Sequence, residues 1–257
     1  MTGRRSQPSP GATKDDVKAF WESEACGERY GDDQDRVRYE LEPEILPFAD
    51  FDSARGLRVL EIGVGMGADF VRWVRAGAVA TGVDLTERAV EITRDRLAKD
   101  RAEGRAEGGV EADVRVADAE ALPFEDAAFD LVYSWGVLHH TPRMDRALAE
   151  AQRVLTSGGR LKVMLYHRRS WVGLAAWARF GVLRGRPFMS LREALTFLES
   201  PGTKTFTVGE VWALFPGLVD LTVRPVLTHW DRRVAPGVAR LTGHRFGWFL
   251  LIEGTKP

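Results

Sequence analysis

Short apolar runs alternate with amphipathic stretches over most of the chain. Five of the runs are typical of buried β-strands, and they cover residues 58–62, 79–85, 110–118, 129–135 and 161–166. Two later runs, at 218–227 and 247–253, predict two more strands. Because strands separated by helices pair in parallel through right-handed crossovers, the pattern predicts an open, doubly wound α/β sheet.

The segments between the strands have the spacing and the end signals of helices. Residues 66–76 predict one helix, and Thr86 is expected to cap the next. Thr141 followed by Pro142 predicts the start of another helix, which the glycines at 158–159 are expected to end. Ligands of such sheets bind beyond the carboxyl ends of the strands, so candidate site residues are sought where each strand ends.

A single domain, residues 14–257, is expected to follow a flexible tail at residues 1–13. Within it we predict four parts, which are a helical arm at 14–51, a cofactor-binding core at 57–167, a substrate-facing lid at 168–206 and a C-terminal part at 207–257.

Composition argues against several classes of partner. The 36 basic and 37 acidic residues leave a net charge of −1, which creates no overall field for nucleic acid or a membrane surface. The single cysteine, Cys26, cannot form a disulfide within the chain, and the five histidines lack metal-ligand spacing, so no metal is expected. No signal-peptide pattern or long apolar run is found, which indicates the cytoplasm with at most a peripheral membrane contact.

Three alternating glycines follow the first predicted strand. Gly63, Gly65 and Gly67 allow a sharp turn and the close approach of a ligand to the N-terminus of the next helix. Asp84 ends the second strand, 21 residues after Gly63, where a carboxylate can accept hydrogen bonds from both hydroxyls of a ribose. Gly63, Gly65 and Ala68 also fit the nicotinamide fingerprint G-x-G-x-x-A, and the alternative role of Asp84 is that of a helix N-cap.

The ends of the third and fourth predicted strands carry further candidates. Asp118, followed by Ala119, can accept the amino hydrogen of an adenine, although it is equally typical of a solvated loop. Leu85 offers the same ring an apolar surface. Trp135 either lines the ligand pocket or is buried in the core.

Five stretches, in this order and spacing, resemble the class I S-adenosylmethionine-dependent methyltransferases, in particular the group with the ubiquinone/menaquinone-biosynthesis methyltransferases. They are VLEIGVGMG (59–67), TGVDL (81–85), ADAEALPF (117–124), FDLVYSWGVLHHTP (129–142) and EAQRVLTSGGRLKV (150–163). The resemblance implies a mostly parallel seven-stranded sheet whose last two strands pair antiparallel. It also implies an N-terminal helical arm over the cofactor, in which Trp21 and Tyr30 are equally explained as packing residues.

The same resemblance implies S-adenosyl-L-methionine as the cofactor. The residue that matches Glu61 helps to hold the methionine amino group, Asp84 matches the residue that holds the ribose, and Asp118 matches the one that meets the adenine. The nicotinamide fingerprint has no role for an acid at position 61, whereas a cationic amino-acid cofactor does.

His139 and His140 follow the fourth predicted strand, beside the expected methyl group. An imidazole titrates near neutral pH, so we hypothesise that His140, or with less support His139, orients or deprotonates the acceptor. Alternatively, one or both histidines pack at the start of a helix.

The expected function is in-line methyl transfer from S-adenosyl-L-methionine to a small molecule. A nicotinamide-dependent oxidoreductase is the first alternative, but no Tyr-x-x-x-Lys pair follows the fourth or fifth strand. A cofactor-binding module without turnover is the second.

Five arginines and no acidic residue lie between positions 167 and 186, interleaved with Trp171, Trp177 and Phe180. This pattern predicts a surface for an anionic or lipid-like substrate. It is also typical of an amphipathic helix on anionic lipid, and of a solvated basic face over a packed helix.

Overall fold

The computed structural model describes residues 12–23, 34–106, 111–198, 200 and 202–257 of the chain. The strands are β1 (Arg58–Ile62), β2 (Val79–Asp84), β3 (Ala112–Val116), β4 (Phe129–Trp135), β5 (Leu155–Tyr166), β6 (Val219–Val226) and β7 (Phe249–Thr255). The helices of the first half are α1 (Lys14–Ser23), α2 (Gln34–Leu41), α3 (Ile45–Ala49), α4 (Ala68–Arg75), α5 (Glu87–Ala102) and α6 (Met144–Arg153). Those of the second half are α7 (Trp171–Phe180), α8 (Leu191–Leu195), α9 (Val208–Trp212), α10 (His229–Val234) and α11 (Val238–Thr242).

The seven strands form one sheet in the order β3-β2-β1-β4-β5-β7-β6. Strand β1 is parallel to β2 on one side and to β4 on the other, and β7 is antiparallel to both β5 and β6. The prediction of a doubly wound, mostly parallel, seven-stranded sheet is therefore confirmed. The chain reverses its direction across the sheet between β1 and β4, which is where open α/β sheets bind ligands.

Both faces of the central strands are buried. Val59 on β1 and Leu131 on β4 belong to the core on one face of the sheet, whereas Leu60 and Val132 belong to the core on the other face. This alternation explains why the sequence shows continuous apolar runs there, since a strand covered by helices on both faces needs apolar residues at every position.

The helix after β2 begins as predicted, because the Thr86 side chain accepts a hydrogen bond from the Ala89 N–H at 3.3 Å. The predicted start of α6 is wrong. A turn of 3-10 helix, Leu138–His140, follows β4, and the Thr141 hydroxyl donates back to the Leu138 carbonyl at 2.8 Å. Thr141 therefore closes this turn, and α6 begins only at Met144.

The end of α6 is also not where the sequence indicated. The helix stops at Arg153, and Leu155 already pairs with Phe129 at the start of β5. Gly158 and Gly159 lie inside the long strand β5, where their backbones exchange hydrogen bonds of 2.8 and 2.9 Å with Lys256. Pairing with the last strand, which no local pattern shows, outweighs the helix-ending signal of the glycines.

The predicted arm contains α1, α2 and α3, and the predicted lid contains α7 and α8. Two residues singled out in the arm, Cys26 and Tyr30, lie outside the described residues. Among the described residues, no helix is both long and apolar enough to cross a membrane.

Candidate active site

A cleft opens at the carboxyl ends of β1, β2 and β4, between the sheet and the helix α1. Most of the residues that the sequence singled out line this cleft, and they are Glu61, Gly63, Gly65, Asp84, Leu85, Asp118, Ala119, Trp135 and His140. Gly67 and His139 are not among its lining residues. The chain thus brings together residues from four strand ends, as the topology requires.

Gly67 and His139 lie behind the cleft. Gly67 has a φ of +74°, and a Cβ atom there would lie 2.8 Å from the Thr93 side chain, so this glycine allows α4 and α5 to approach. His139 is fully buried, with its ring 4.2 Å from those of His140 and Tyr166. The structure therefore gives Gly67 and His139 packing contacts rather than a place at the cleft wall.

The glycine loop is held against β2 by backbone hydrogen bonds. The N–H groups of Gly63 and Val64 both donate to the Val83 carbonyl, at 2.7 and 3.2 Å. Gly63 has a φ of +86°, and a Cβ atom there would lie 2.2 Å from a methyl group of Val137. Only glycine fits this position without a shift of the neighbouring loop.

Asp84 connects the glycine loop to the start of α5. Its Oδ2 accepts a hydrogen bond from the Gly65 N–H at 3.1 Å, and its Oδ1 accepts from the N–H and the hydroxyl of Thr86 at 3.0 and 2.8 Å. Burial raises the pKa of Asp84, although the hydrogen bonds from Thr86 and Gly65 lower it in part. Thr86, not Asp84, is the N-cap, so the alternative role as a cap does not explain this carboxylate.

Glu61 is the most unusual group in the cleft. Its side chain is buried at the end of β1, and its Oε2 atom has no hydrogen-bond partner among the described residues. Burial, and then the negative charge of Asp69, raise the pKa of Glu61 well above its usual range, while Arg38 and the nearby Trp73 indole oppose the shift. A buried carboxylate oxygen without a hydrogen bond is costly, so the site favours a cationic or hydrogen-donating group beside Oε2 of Glu61.

Asp69, in the first turn of α4, is a site residue that the sequence did not indicate. Its carboxylate accepts hydrogen bonds from Arg38 at 2.7 Å, Tyr39 at 2.8 Å and Tyr133 at 3.0 Å. Burial alone would raise the pKa of Asp69, but the Arg38 charge and these three donors outweigh burial and lower it. The surroundings therefore lower the pKa of Asp69 and raise that of Glu61 nearby.

Arg38 and Glu42 connect α2 to the cleft. Besides Asp69, the Arg38 guanidinium lies 3.9 Å from the Glu42 carboxylate, which accepts a hydrogen bond from the Trp135 indole N–H at 2.9 Å. Arg38 and Trp135 both line the cleft. The indole of Trp135 therefore has a defined orientation, and Arg38 places a positive charge at the cleft wall.

Helix α1 covers the opposite end of the cleft. Its Val17 and Trp21 line the cleft, and its Lys14 pairs with Asp118 and, at 2.7 Å, with Glu120. The other oxygen of Asp118 accepts from the Glu120 N–H at 2.9 Å. No local pattern connects Lys14 with Asp118, because 104 positions separate them in the sequence.

His140 joins the cleft to the predicted lid. Its Nδ1 lies 2.8 Å from the hydroxyls of both Ser200 and Thr203, and its ring contacts that of Trp21 at 5.6 Å. Burial, and then the positive charge of Lys204, lower the pKa of His140 to about 3. His140 is therefore a neutral imidazole at physiological pH.

The low pKa of His140 predicts that the protein loses stability in acid. In the unfolded chain the ring binds a proton below about pH 6.5, whereas the folded protein resists protonation down to about pH 3, so stability falls as the pH decreases between these values. We expect His140→Asn to reduce the pH dependence of the unfolding free energy there by up to ~1.4 kcal/mol per pH unit. Urea unfolding between pH 4.5 and 6.5 measures this slope, and an unchanged slope would contradict the burial of a neutral His140.

The lid residues do not form the cleft wall. None of the described residues between 168 and 206 is among those that line it. They connect to it through the hydrogen bonds of Ser200 and Thr203 with His140, and through the Lys204 side chain, which donates to the carbonyl of the lining residue Thr141 at 2.6 Å. The arginines at 179, 184 and 186 therefore do not face this cleft.

Comparisons with known proteins agree with this geometry. Residues 60–163 match a family model described as a methyltransferase domain. The chain is 38% identical over 107 residues to 27-O-demethylrifamycin SV methyltransferase of Amycolatopsis mediterranei, a match that covers 41% of this chain and 37% of that protein. It is 35% identical over 134 residues to the ubiquinone/menaquinone biosynthesis C-methyltransferase UbiE of Bordetella avium, covering 50% of this chain and 49% of that protein. The chain thus spans about half or less of the length of these two curated relatives.

The fold extends beyond the matched segment. The structure of magnesium protoporphyrin IX methyltransferase from Synechocystis with bound S-adenosylhomocysteine superposes with a TM-score of 0.63 at 16% identity, covering 95% of this chain and 100% of that one. At this identity the likeness shows the fold alone. Together with the family match at 60–163 and the similarity to UbiE, it confirms the predicted resemblance to the class I S-adenosylmethionine-dependent methyltransferases, in particular to the ubiquinone/menaquinone C-methyltransferases.

Proposed function

We propose that this protein transfers a methyl group from S-adenosyl-L-methionine to a small molecule. The observation that carries the proposal is Glu61, a buried carboxylate with an oxygen that has no partner among the described residues, next to the glycine loop. A cationic amino group would satisfy this oxygen. The matched domain family and the relatives named above support the same reaction class.

The cleft residues fit the three parts of this cofactor. Glu61 would hold the methionine amino group, and Arg38 offers a positive charge for the methionine carboxylate. Asp84 would meet the ribose hydroxyls. Asp118 would accept a hydrogen bond from the adenine amino group. Its Oδ2 atom would then bind the adenine in place of its present partner, Lys14. Leu85 and Ala119 supply the apolar surface beside the ring.

When bound, the cofactor supplies an activated methyl group on a positively charged sulfur, with a neutral thioether as the leaving group. The task of the protein is then to align the acceptor and to exclude water. Trp135, held by Glu42, fixes one wall beside the glycine loop. Val17 and Trp21 of α1 cover the cleft and limit the access of water.

His140 remains our candidate catalytic residue for acceptor binding. Its pKa of about 3 makes it a weak base, so we propose that it orients the acceptor by a hydrogen bond rather than removing a proton from it. His139, whose ring packs against His140, would support the position of that ring. His140→Ala should reduce turnover or acceptor affinity, and a variant with both unchanged would exclude this role.

The acceptor is proposed to be a small organic molecule, anionic or lipid-like. The relatives named above act on a rifamycin precursor and in quinone biosynthesis, as their names state. The balanced charge of −1 gives no support for a nucleic-acid acceptor. We further propose a single domain over 14–257 that works in the cytoplasm.

Calorimetric titration distinguishes this function from the nicotinamide alternative. We expect S-adenosylmethionine and S-adenosylhomocysteine to bind at micromolar concentrations and NADH not to bind. Tight binding of NADH with no affinity for either sulfur nucleoside would overturn the proposal. Binding without methyl transfer to any acceptor of a broad panel would favour the non-catalytic module.

A further inference from the structure

Seven consecutive exposed residues, 182–188, form the outermost loop of the predicted lid, and we call them the lid tip. Buried residues border them on both sides, Gly181 before and Met189 after. Phe188 is 100% exposed and Leu183 is 80% exposed. Single exposed apolar residues are common on protein surfaces, but Leu183 and Phe188 lie on the same short loop and together offer two apolar side chains to a neighbouring surface.

The lid tip is a well-ordered turn. The Arg186 N–H donates to the Gly181 carbonyl at 2.9 Å, and the Met189 N–H donates to the Arg186 carbonyl at 3.0 Å. The Trp177 indole N–H donates to the Pro187 carbonyl at 3.2 Å. These hydrogen bonds hold the turn that carries Leu183 and Phe188, and they reduce the cost of bringing its backbone near an apolar phase.

Two arginines without a carboxylate partner among the described residues lie in or next to the lid tip. Of the six arginines in the segment 167–198, Arg168 and Arg192 pair with Glu210, and Arg186 pairs with Glu193. The guanidinium groups of Arg179 and Arg184 lie 5.5 and 5.2 Å from the centre of the Phe180 ring, at the base of the lid tip. Basic groups around protruding apolar side chains complement a surface that is anionic outside and apolar beneath.

We propose that the lid tip docks on an anionic phospholipid bilayer, with Leu183 and Phe188 inserted below the headgroups and Arg179 and Arg184 paired with lipid phosphates. The lid arginines do not line the cleft, so an anionic small-molecule acceptor in the cleft does not explain them. This docking does not depend on the proposed methyl transfer, because it uses none of the residues assigned to the cofactor.

The test is sedimentation of the full chain with vesicles at low and high salt. We expect binding to vesicles of phosphatidylcholine with 30% phosphatidylserine, little binding to pure phosphatidylcholine, and loss of binding at high salt. Leu183→Ser with Phe188→Ser, and separately Arg179→Gln with Arg184→Gln, should each weaken binding at least ~10-fold. Because these side chains are exposed, the melting temperature should not change.

Leu241→Ser is the matched control, since Leu241 is 88% exposed on a different helix, α11, and should leave vesicle binding unchanged. Failure to bind phosphatidylserine vesicles at low salt would overturn the proposal. Binding that depends on the arginines but not on Leu183 and Phe188 would also overturn it, because that result indicates attraction to the charged headgroups without insertion of the two apolar side chains. Titration with S-adenosylhomocysteine in the absence of lipid reports on the proposed function independently.

Discussion

Glu61→Gln is expected to weaken the binding of S-adenosylmethionine by ~10–100-fold, the loss of one charge-assisted hydrogen bond worth about 1.5–3 kcal/mol. The Glu61 carboxylate is buried and one of its oxygens lacks a partner among the described residues, so a cationic amino group gains most of its attraction there. Glutamine keeps the shape of the side chain and removes the charge. Calorimetry at pH 7.5 measures the change.

The same substitution is expected to raise the melting temperature of the cofactor-free protein. The pKa of Glu61 is higher in the folded protein than in the unfolded chain, where it lies near 4.5. The contribution of this group to the unfolding free energy is therefore complete below pH 4.5, and it is lost as the pH rises toward the pKa in the folded protein. Glutamine does not ionise, so the unfolding free energy of Glu61→Gln should exceed that of the wild type by an amount that increases with pH. Opposite changes in affinity and stability would show that Glu61 is retained for binding rather than for folding.

Glu91→Gln is a suitable control, since Glu91 is exposed on α5 and outside the cleft lining, and should change neither quantity. Because burial raises the pKa of Glu61, cofactor affinity in the wild type should also rise with pH as this carboxyl group ionises, and it should not change with pH in Glu61→Gln for that reason. Equal affinity of the two proteins at every pH would exclude Glu61 from the cofactor site.

Gly63→Ala is expected to impair both folding and cofactor binding, whereas Gly65→Ala is expected to impair mainly cofactor binding. At Gly63 the φ of +86° and the Cβ contact of 2.2 Å with Val137 should together lower the unfolding free energy by about 2–5 kcal/mol and abolish cofactor binding. At Gly65 the φ is +51° and the space is open, so only about 1–2 kcal/mol should be lost. Because Gly65 lines the cleft, its new methyl group should nevertheless weaken cofactor binding ~10-fold or more.

Gly104→Ala controls for the backbone cost alone. Gly104 has a φ of +69° with nothing within 4 Å of an added Cβ, and it does not line the cleft. It should lose as much stability as Gly65→Ala and keep full cofactor affinity. Urea unfolding and calorimetry of the three variants give both quantities, and a Gly65→Ala protein that binds like Gly104→Ala would mean that the ligand does not approach the loop.

Strands buried on both faces were the easiest elements to predict from the sequence. The bounds predicted for β1 and β4 match the observed strands to the residue, because burial on both faces produces a continuous apolar run. The edge strand β3, predicted at 110–118, is observed only at Ala112–Val116, since its mixed exposure gives a weaker pattern. The turn after β4 carries the local signals of a helix start, but Lys204 donates to the carbonyls of His139 and Thr141 at 2.9 and 2.6 Å, and such tertiary contacts outweigh local signals.

Site residues at strand ends could be predicted from the sequence, because parallel strands end at one edge of a sheet. Arg38, Asp69 and Lys14 could not be predicted, because each acts through a partner that is distant in the chain. Arg38 meets Asp69 across 31 positions, and Lys14 meets Asp118 across 104. Charged residues at such separations are ordinary surface residues until the fold brings them together.

A crystal structure with S-adenosylhomocysteine tests the central claim most directly. The account predicts the nucleoside in the cleft at the ends of β1, β2 and β4, with the amino group on Glu61, the ribose on Asp84 and the adenine beside Asp118, which has exchanged Lys14 for the ligand. A nucleoside bound elsewhere, or one that leaves the Glu61 oxygen without a partner, would contradict the account.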